Sequence, residues 1–426
     1  MNESVNGSRL RYSETSSPQT EGISGMATSQ TATSSRSANQ KLILAGQIAF
    51  FPTGILTTLL GPMLPILIAR WSMNDTQAGY LFLVQFLASL VGVQLSGILL
   101  SRWGFRPAFL LGLLMMAVGV STLYLGSLWL GLVSVATYGF GIGLIVPTDN
   151  LLIAEIGAHS LTSPSADSAA PASKAGAVSL LNFFWGVGAV FCSLMVAWTA
   201  AHKLLPFFLG ANAVFLVGLA VSMRNLPFPP AETAADRSSS SSWRDLVRSP
   251  AIWLFATVFL LYPGAETSVG GWIGSYVSRL GPRGQAIASM MPAFFWSALT
   301  VGRALGTAFL RRVSERKVLR ASYATSAAGI ALMLWSPSLA GVIVGALITG
   351  LSYATLYPIT VARLSERFGV AARSIGAVMF SLASIGPALL PWLVGVVSHS
   401  TGSLRAGLLL PLGATVILFL IHIADW

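Results

Sequence analysis

The chain is poor in charge. Only 9% of its 426 residues are Asp, Glu, Lys or Arg, while 54% are hydrophobic; soluble proteins typically carry about 25% charged residues. So few charges cannot coat a soluble particle of this size, which excludes an ordinary cytosolic enzyme. A single cysteine, Cys192, excludes an intrachain disulfide. The four histidines (His159, His202, His399 and His422) are scattered over loops and segment ends, and no His/Cys cluster has metal-ligand spacing. No metal, cofactor or catalytic constellation is expected. The chain has no G-x-x-x-x-G-K-[ST] segment, which argues against a P-loop ATPase-driven pump. No short apolar h-region follows Met1, so a cleaved signal peptide is not expected. The formal net charge of +11 raises nucleic acid as a partner. That partner needs clustered cations on a soluble face. Here apolar segments separate the cations, and nucleic acid is not expected.

What is present is a series of long apolar runs. Residues 1–38 are rich in Ser, Thr, Gly and Asn and read as a disordered tail, because they cannot bury enough surface to offset chain ordering. From Leu42 onward, apolar runs of about 18–27 residues alternate with short polar breaks, and ~20 apolar residues suffice to cross the hydrocarbon. The pattern predicts spans at 42–68, 78–100, 107–126, 129–153, 174–199, 205–222, 251–278, 285–310, 319–336, 339–362, 374–398 and 404–423. Residues 224–250, with Pro-Phe-Pro-Pro at 227–230 and five serines at 238–242, read as a cytoplasmic linker between halves 39–223 and 251–426. Residues 157–172 read as a surface loop.

The cations orient this array. With the N-terminus inside, nineteen Lys/Arg fall in inner segments, among them Arg102, Arg106, Arg311, Arg316 and Arg363. Five fall in outer segments (Arg70, Lys203, Arg279, Arg283 and Arg405), and Arg303 alone lies within a span. Cations are favoured on the cytoplasmic side. Both termini are therefore expected in the cytoplasm of a multi-pass membrane protein, with a bacterial inner membrane as the expected location. An odd number of spans would spoil the asymmetry, which supports twelve.

The halves also repeat. Gly139, Pro147 and Glu155 follow the spacing G-x7-P-x7-E, and Gly350, Pro358 and Glu366 repeat it with a displacement of 211. Phe51-Pro52 and Tyr262-Pro263 share that displacement. Gly97 and Arg102 match Gly306 and Arg311 with a displacement of 209. The offset covers six spans, so the halves share one orientation, as in parallel-repeat transporters. The fold class that follows is an all-α membrane protein with twelve transmembrane helices in two pseudo-symmetric six-helix bundles.

The loop after span 2 reads Gly97-Ile-Leu-Leu-Ser101-Arg102-Trp103-Gly104-Phe105-Arg106. It resembles the major facilitator superfamily's signature loop, G-x-x-x-D-R-x-G-R, with Ser101 in the usual Asp position. The second copy, Gly306 to Arg316, is more degenerate and has Leu310 there. Within that superfamily the chain looks like the fucose-permease-like sugar transporters. The matching stretches are Leu181-Asn182-Phe183-Phe184-Trp185-Gly186-Val187-Gly188-Ala189, Gly264-Ala265-Glu266 leading to Gly271-Trp272 and Tyr276, and Gly386-Pro387-Ala388 with Pro391-Trp392. Two features depart from that group: span 5 has no His after Leu-Asn, and span 1 has no acid. The resemblance implies a central cavity lined by spans 1, 4, 7 and 10, and gating roles for Gly97, Arg102, Gly104 and Arg106.

An ionisable residue in hydrocarbon is expensive and usually functional. Four qualify: Asp149, Glu155, Glu266 and Arg303. Glu266 lies near the middle of span 7, just after Pro263-Gly264, where the helix is expected to bend or open. It is the first candidate for proton coupling. Asp149 is a second proton site, a solute ligand, or an interfacial acid that reaches water. Glu155 and Glu366 sit at the cytoplasmic edge, where ion pairs with loop cations are the expected role. Arg303 pairs with an acid or binds an anion, and the pair is the preferred reading. Around them, Gln47, Thr57, Tyr138, Tyr262, Trp272, Tyr276, Tyr353 and Tyr357, joined by Gln85, Asn150, Asn182, Trp185 and Trp296, fill out a candidate cavity. Aromatic faces and amide groups suit a sugar ring, although each Trp or Tyr alone is as readily a packing or interface residue. Gly54, Gly61, Gly141, Gly143, Gly186 and Gly188 are expected to allow close helix packing.

These features point to a secondary transporter that moves a small polar organic solute, such as a monosaccharide, by proton-coupled uptake. The partners are then the solute, protons and the lipid bilayer. An exporter of amphiphilic compounds and a non-transporting scaffold or sensor remain open.

Overall fold

A computed structural model describes residues 21–161, 174–228, 248–310, 313–368 and 372–424. Among these the chain is helical, without a strand. Eleven helices among the described residues are long and apolar enough to cross a membrane. Span 1 runs Glu21–Thr58 and continues as Leu60–Trp71. Spans 2 to 6 are Asp75–Trp103, Phe105–Thr122, Leu128–Leu161, Lys174–Ala201 and Leu205–Met223. Span 7 is Pro250–Ser278. Span 8, Met291–Leu310, has 20 residues and follows a short helix, Pro282–Ile287, and a turn, Ala288–Met290. Spans 9 to 12 are Glu315–Trp335, Leu339–Tyr353 continued as Leu356–Phe368, Ala372–Thr401 and Leu404–Ile423. With span 8 in its place, the twelve expected spans are all present.

Three differences from the sequence reading have local causes. The helix of span 1 already begins at Glu21, inside the stretch read as a disordered tail. Extending an existing helix costs far less than nucleating one, so polar residues 21–38 continue the apolar segment; residues 1–20 lie outside the described residues. Spans 1 and 10 break at Leu59 and at Ala354–Thr355. Each break lies about one turn before a proline, Pro62 or Pro358, whose ring clashes with the carbonyl four residues back. Span 7, by contrast, passes through Pro263-Gly264 as one helix and does not open there. Gly264 packs against the Gly386 backbone of span 11, and that contact braces the helix at the proline. Most of the expected linker (229–247) and of the 157–172 loop lies outside the described residues.

The two halves repeat one packing scheme. In the first, span 1 packs on span 5, span 4 on spans 2 and 3, and span 3 on span 6. In the second, span 7 packs on span 11, span 10 on spans 8 and 9, and span 9 on span 12. Each pair recurs six spans later. Glycines set the close seams. A side chain at Gly139 would meet the Gln85 backbone of span 2, and one at its repeat mate Gly350 would meet the Phe295 backbone of span 8. Gly112 and Gly141 face each other across spans 3 and 4, as Gly329 and Gly345 do across spans 9 and 10. Without a hydrophobic drive between helices in lipid, such close backbone approach is a main source of packing energy.

The halves meet where span 2 packs on span 11, span 5 on span 8, and the Leu60–Trp71 end of span 1 on span 7. Large apolar side chains point outward: Phe207 is 74% exposed, Val214 73% and Val91 60%. In water such a surface is an aggregation liability; around a membrane protein it faces lipid.

The glycine seams generate a test. Gly54 lies against the Trp185 backbone, whereas Gly97 has open space around it. Gly54→Val is expected to destabilise the protein by about 1–3 kcal/mol, the usual cost of overpacking, and Gly97→Val to be near neutral. Thermal unfolding of the purified protein in detergent measures both.

Candidate functional site

Span 7 places Tyr262 and Glu266 one turn apart on one face. Span 8 runs the opposite way and places Trp296 and Arg303 two turns apart on one face. Glu266 is twelve residues before the end of span 7 and Arg303 twelve after the start of span 8. Both therefore lie about 18 Å from the same end of the bundle, near mid-membrane. This end, away from the described chain ends, is the far face; the opposite one is the termini face.

There the side chains form one cluster. The Tyr262 hydroxyl donates to Glu266 Oε2 and also reaches the Tyr353 carbonyl of span 10 at 3.2 Å. Glu266 Oε1 lies 4.0 Å from the Arg303 guanidinium. That guanidinium sits 5.4 Å from the ring centre of Trp185, which comes from the other half on span 5, within reach of a cation–π attraction. Trp185 meets Trp296 edge to face at 5.5 Å. Tyr353 packs edge to face on Tyr262 at 5.5 Å, and its hydroxyl bonds Thr415 of span 12 at 2.7 Å. Tyr357, one turn along span 10, is partly buried and within electrostatic reach of Glu266 and Arg303. The Glu266 and Arg303 side chains keep 12% and 18% of their surface accessible, so the cluster borders open space. An acid, a cation, phenol hydroxyls and two indoles from both halves can bind a polar solute and hold a proton.

Asp149 is fully buried, packed against Gly46 of span 1, and neither of its carboxylate oxygens has a hydrogen-bond partner among the described residues. It sits one turn from Ile153, where the apolar part of span 4 ends, so it does not join the Glu266 cluster. Asn150 bonds the Val146 carbonyl of its own helix. Gln47 is buried and Asn182 partly buried. Tyr138 is fully buried and donates to Gln85 at 3.2 Å, while Gln85 donates to the Thr57 carbonyl at 3.1 Å. These three tie spans 4, 2 and 1 together. Trp272 donates to the Pro391 carbonyl at 2.9 Å, and Tyr276 to the Leu334 carbonyl at 3.2 Å. Both bonds engage helix backbones within the second half. The Glu155 side chain lies outside the described residues, and Glu366 is exposed. Arg363 and Glu315 make an ion pair at 3.8 Å on the termini face.

In the loop after span 2, Gly104 has φ 77°, a conformation that favours glycine, and its N–H caps the helix on the Leu100 carbonyl. Arg106 donates to the Leu226 carbonyl at 2.8 Å, beyond the end of span 6. Arg102 is exposed. Ser101, in the usual Asp position, bonds its own helix at the Ile98 carbonyl.

Sequence reasoning missed a clasp on the far face. Asp75, at the start of span 2, takes two hydrogen bonds from Arg279 at the end of span 7, at 2.5 and 2.9 Å. It accepts a third from Ser398 of span 11 at 2.5 Å. With Gly61 packed on the Gly270 carbonyl and Gly79 on the Trp392 backbone, this clasp joins the halves on the far face. A signal was available: Asp75 is the one acid in the segments expected outside.

The description Major Facilitator Superfamily belongs to a family model that matches residues 48–315. The chain belongs to this superfamily. Its family and fold are thus those of membrane transporters. It is 23% identical over 383 residues to a glucose/galactose transporter of Brucella abortus, covering 83% of this chain and 87% of that protein. It is 25% identical over 296 residues to Bypass of stop codon protein 6 of Saccharomyces cerevisiae, over 61% of this chain. The match spans 55% of that yeast protein's length. In fold it is similar to a single-residue mutant of the nucleoside transporter NupG (TM-score 0.72, 14% identity, 90% of this chain and 99% of that one). It also resembles the E. coli fucose:proton symporter (TM-score 0.60, 17% identity, 90% and 98%). The likeness to fucose-permease-like transporters therefore extends to the fold.

The two intramembrane acids differ in a testable way. Asp149→Asn exchanges one unpartnered polar group for another and is expected to change stability by less than ~1 kcal/mol. Glu266→Ala leaves the Arg303 charge without its acid and is expected to cost about 3 kcal/mol. Thermal unfolding of both variants checks the contrast.

Proposed function

We propose that this transporter moves a small polar organic solute, of the size and polarity of a monosaccharide, together with protons, by alternating access. The observation that carries the reading is the mid-membrane cluster of Glu266, Tyr262 and Arg303, flanked by Trp185 and Trp296 from opposite halves. Indole faces suit the apolar C–H faces of a sugar ring, and the surrounding hydroxyls and charges suit its polar rim. Relatives named for glucose and galactose, and a structural neighbour named for fucose and protons, support the substrate class. The excess of cations in segments on the termini side supports cytoplasmic termini, and the Brucella relative supports a bacterial inner membrane as the location.

Glu266 is the proton-coupling residue in this reading. It is an acid set between a phenol donor and a cation at the border of open space. A change in what occupies that space changes the balance between its two protonation states, so its proton can follow the solute. In this reading the Asp75–Arg279–Ser398 clasp shuts the far face, and solute and proton reach Glu266 from the termini face. Opening to the other side requires that clasp to part. Asp149 is a second protonatable group, and Gln47, Asn150 and Asn182 extend the polar lining.

Two experiments in proteoliposomes test this. With a panel of radiolabelled sugars, uphill uptake should need an imposed pH gradient and stop when it is collapsed. Glu266→Gln should lose accumulation but keep exchange; unchanged uphill transport would sink the coupling role. Separately, cysteines replacing Asp75 and Ser398 in a Cys192→Ser background should crosslink on oxidation and stop transport, and reductant should restore it. Full transport in the crosslinked protein would show that the far face need not open.

A further inference from the structure

Arg303 is underused. A guanidinium carries five N–H donors in a fixed fork suited to planar oxyanions. Here it donates no hydrogen bond among the described residues. Its nearest carboxylate oxygen is 4.0 Å away, beyond hydrogen-bond length. The ring centre of Trp185 lies 5.4 Å from the guanidinium. Meanwhile Glu266 turns its second oxygen to Tyr262. A mid-membrane cation so loosely held is costly, and a bidentate anion would satisfy it.

We propose that the solute carries a carboxylate, as a hexuronate or hexonate does, and that Arg303 binds it. The inference rests on the function proposed above and narrows its substrate class. The carboxylate takes two parallel N–H bonds from Arg303. The sugar carbons lie against Trp185 and Trp296. Trp296 Nε1 is buried without a hydrogen-bond partner among the described residues, and it supplies a donor for a hydroxyl.

Charge balance carries the argument furthest. Empty, the site holds Arg303 as a cation and Glu266 as an anion, and its net charge is zero. When a proton from the outer water neutralises Glu266 and a carboxylate solute pairs with Arg303, the net charge is again zero. Both forms therefore cross between states without moving net charge through hydrocarbon. A proton taken up with a neutral sugar would instead leave Arg303 a lone buried cation. The ionisable groups that face Glu266 are consistent with this count. Tyr262 is on its own span, Arg303 comes from span 8, and Tyr353 and Tyr357 come from span 10. Span 9 brings Tyr323 towards Tyr262. On span 11, packed at Gly264–Gly386, the nearest described ionisable side chain is His399, about 20 Å along the helix.

The test compares D-glucuronate, D-gluconate and D-glucose in proteoliposomes and in thermal-shift titrations. The expected result is uptake of an acid driven by a pH gradient and insensitive to a membrane potential set with potassium and valinomycin. Arg303→Gln should weaken acid binding about tenfold or more, and Arg303→Lys less, since it keeps charge but loses the fork. The potential measurement uses the unmodified protein, so misfolding of a variant does not obscure it. Movement of D-glucose but of neither acid overturns the inference and leaves the proton-coupled sugar reading standing. Acid uptake that follows the membrane potential overturns it, as does equal stabilisation of Arg303→Gln. No movement of any of the three counts against both readings.

Discussion

Hydrocarbon supplies no hydrogen-bond partner, and the whole structure follows from that constraint. Every backbone group must bond within its own segment, so the described chain is helical. Polar side chains in the spans turn inward or back to their own helix; Thr53, Thr58, Thr148 and Thr199 all bond the carbonyl four residues before them. Helix association cannot rely on excluding water and depends on close backbone approach. Glycine makes that possible at Gly54–Trp185, Gly188–Phe51 and Gly264–Gly386. The same constraint thins out charge until each remaining one needs an explanation.

Two of the ion pairs that join helices among the described residues, Asp75–Arg279 and Glu266–Arg303, meet the constraint at different depths. Asp75–Arg279 lies at the far end of the bundle, where Arg279 is 39% exposed and water shares the charge. Its contribution comes from geometry, because a bidentate fork and Ser398 fix three helix ends from both halves at one point. An exposed pair adds modest stability. Glu266–Arg303 lies at mid-depth, with less water and no direct hydrogen bond between the partners. One pair is thus a partly exposed, bidentate contact between helix ends, and the other a looser contact at mid-depth.

Much of this was legible in the sequence, because hydropathy and charge asymmetry act locally. Apolar run lengths revealed the spans, and the 211-residue offset revealed the repeat. Glu266 and Arg303 each stood out as ions within apolar runs. Their meeting did not, since helical phase alone does not say which face of span 8 turns to span 7. Asp75 and Arg279 are 204 residues apart, and no local pattern links them. Trp272 and Tyr276 read as cavity aromatics, but their polar atoms bond helix backbones. An aromatic residue with a polar tip looks the same in sequence in either role. The helix over 21–38 was missed for a related reason: composition describes a segment in isolation, and this one is carried by the apolar helix that follows it.

The repeat fails at the polar cluster. The frame is shared: Gly139 and Gly350 seat equivalent helix crossings, and Pro52 matches Pro263. The polar cluster is not shared. Displaced by the same 211 residues, Tyr262, Glu266, Tyr353 and Tyr357 correspond to Phe51, Ile55, Ile142 and Val146. Ile55 and Ile142 are buried in the apolar core. The first half kept the scaffold and filled those positions with hydrocarbon, contributing Trp185 across the interface instead. Its own acid, Asp149, corresponds to Thr360 in the second half. In the alternating-access reading proposed above, two bundles that rock against each other need matched frames, because both conformations reuse the same helix crossings. A site needs the opposite, since a solute presents different groups to its two sides. The second half bears the charges and phenols, and the first sets the Trp185 ring against them.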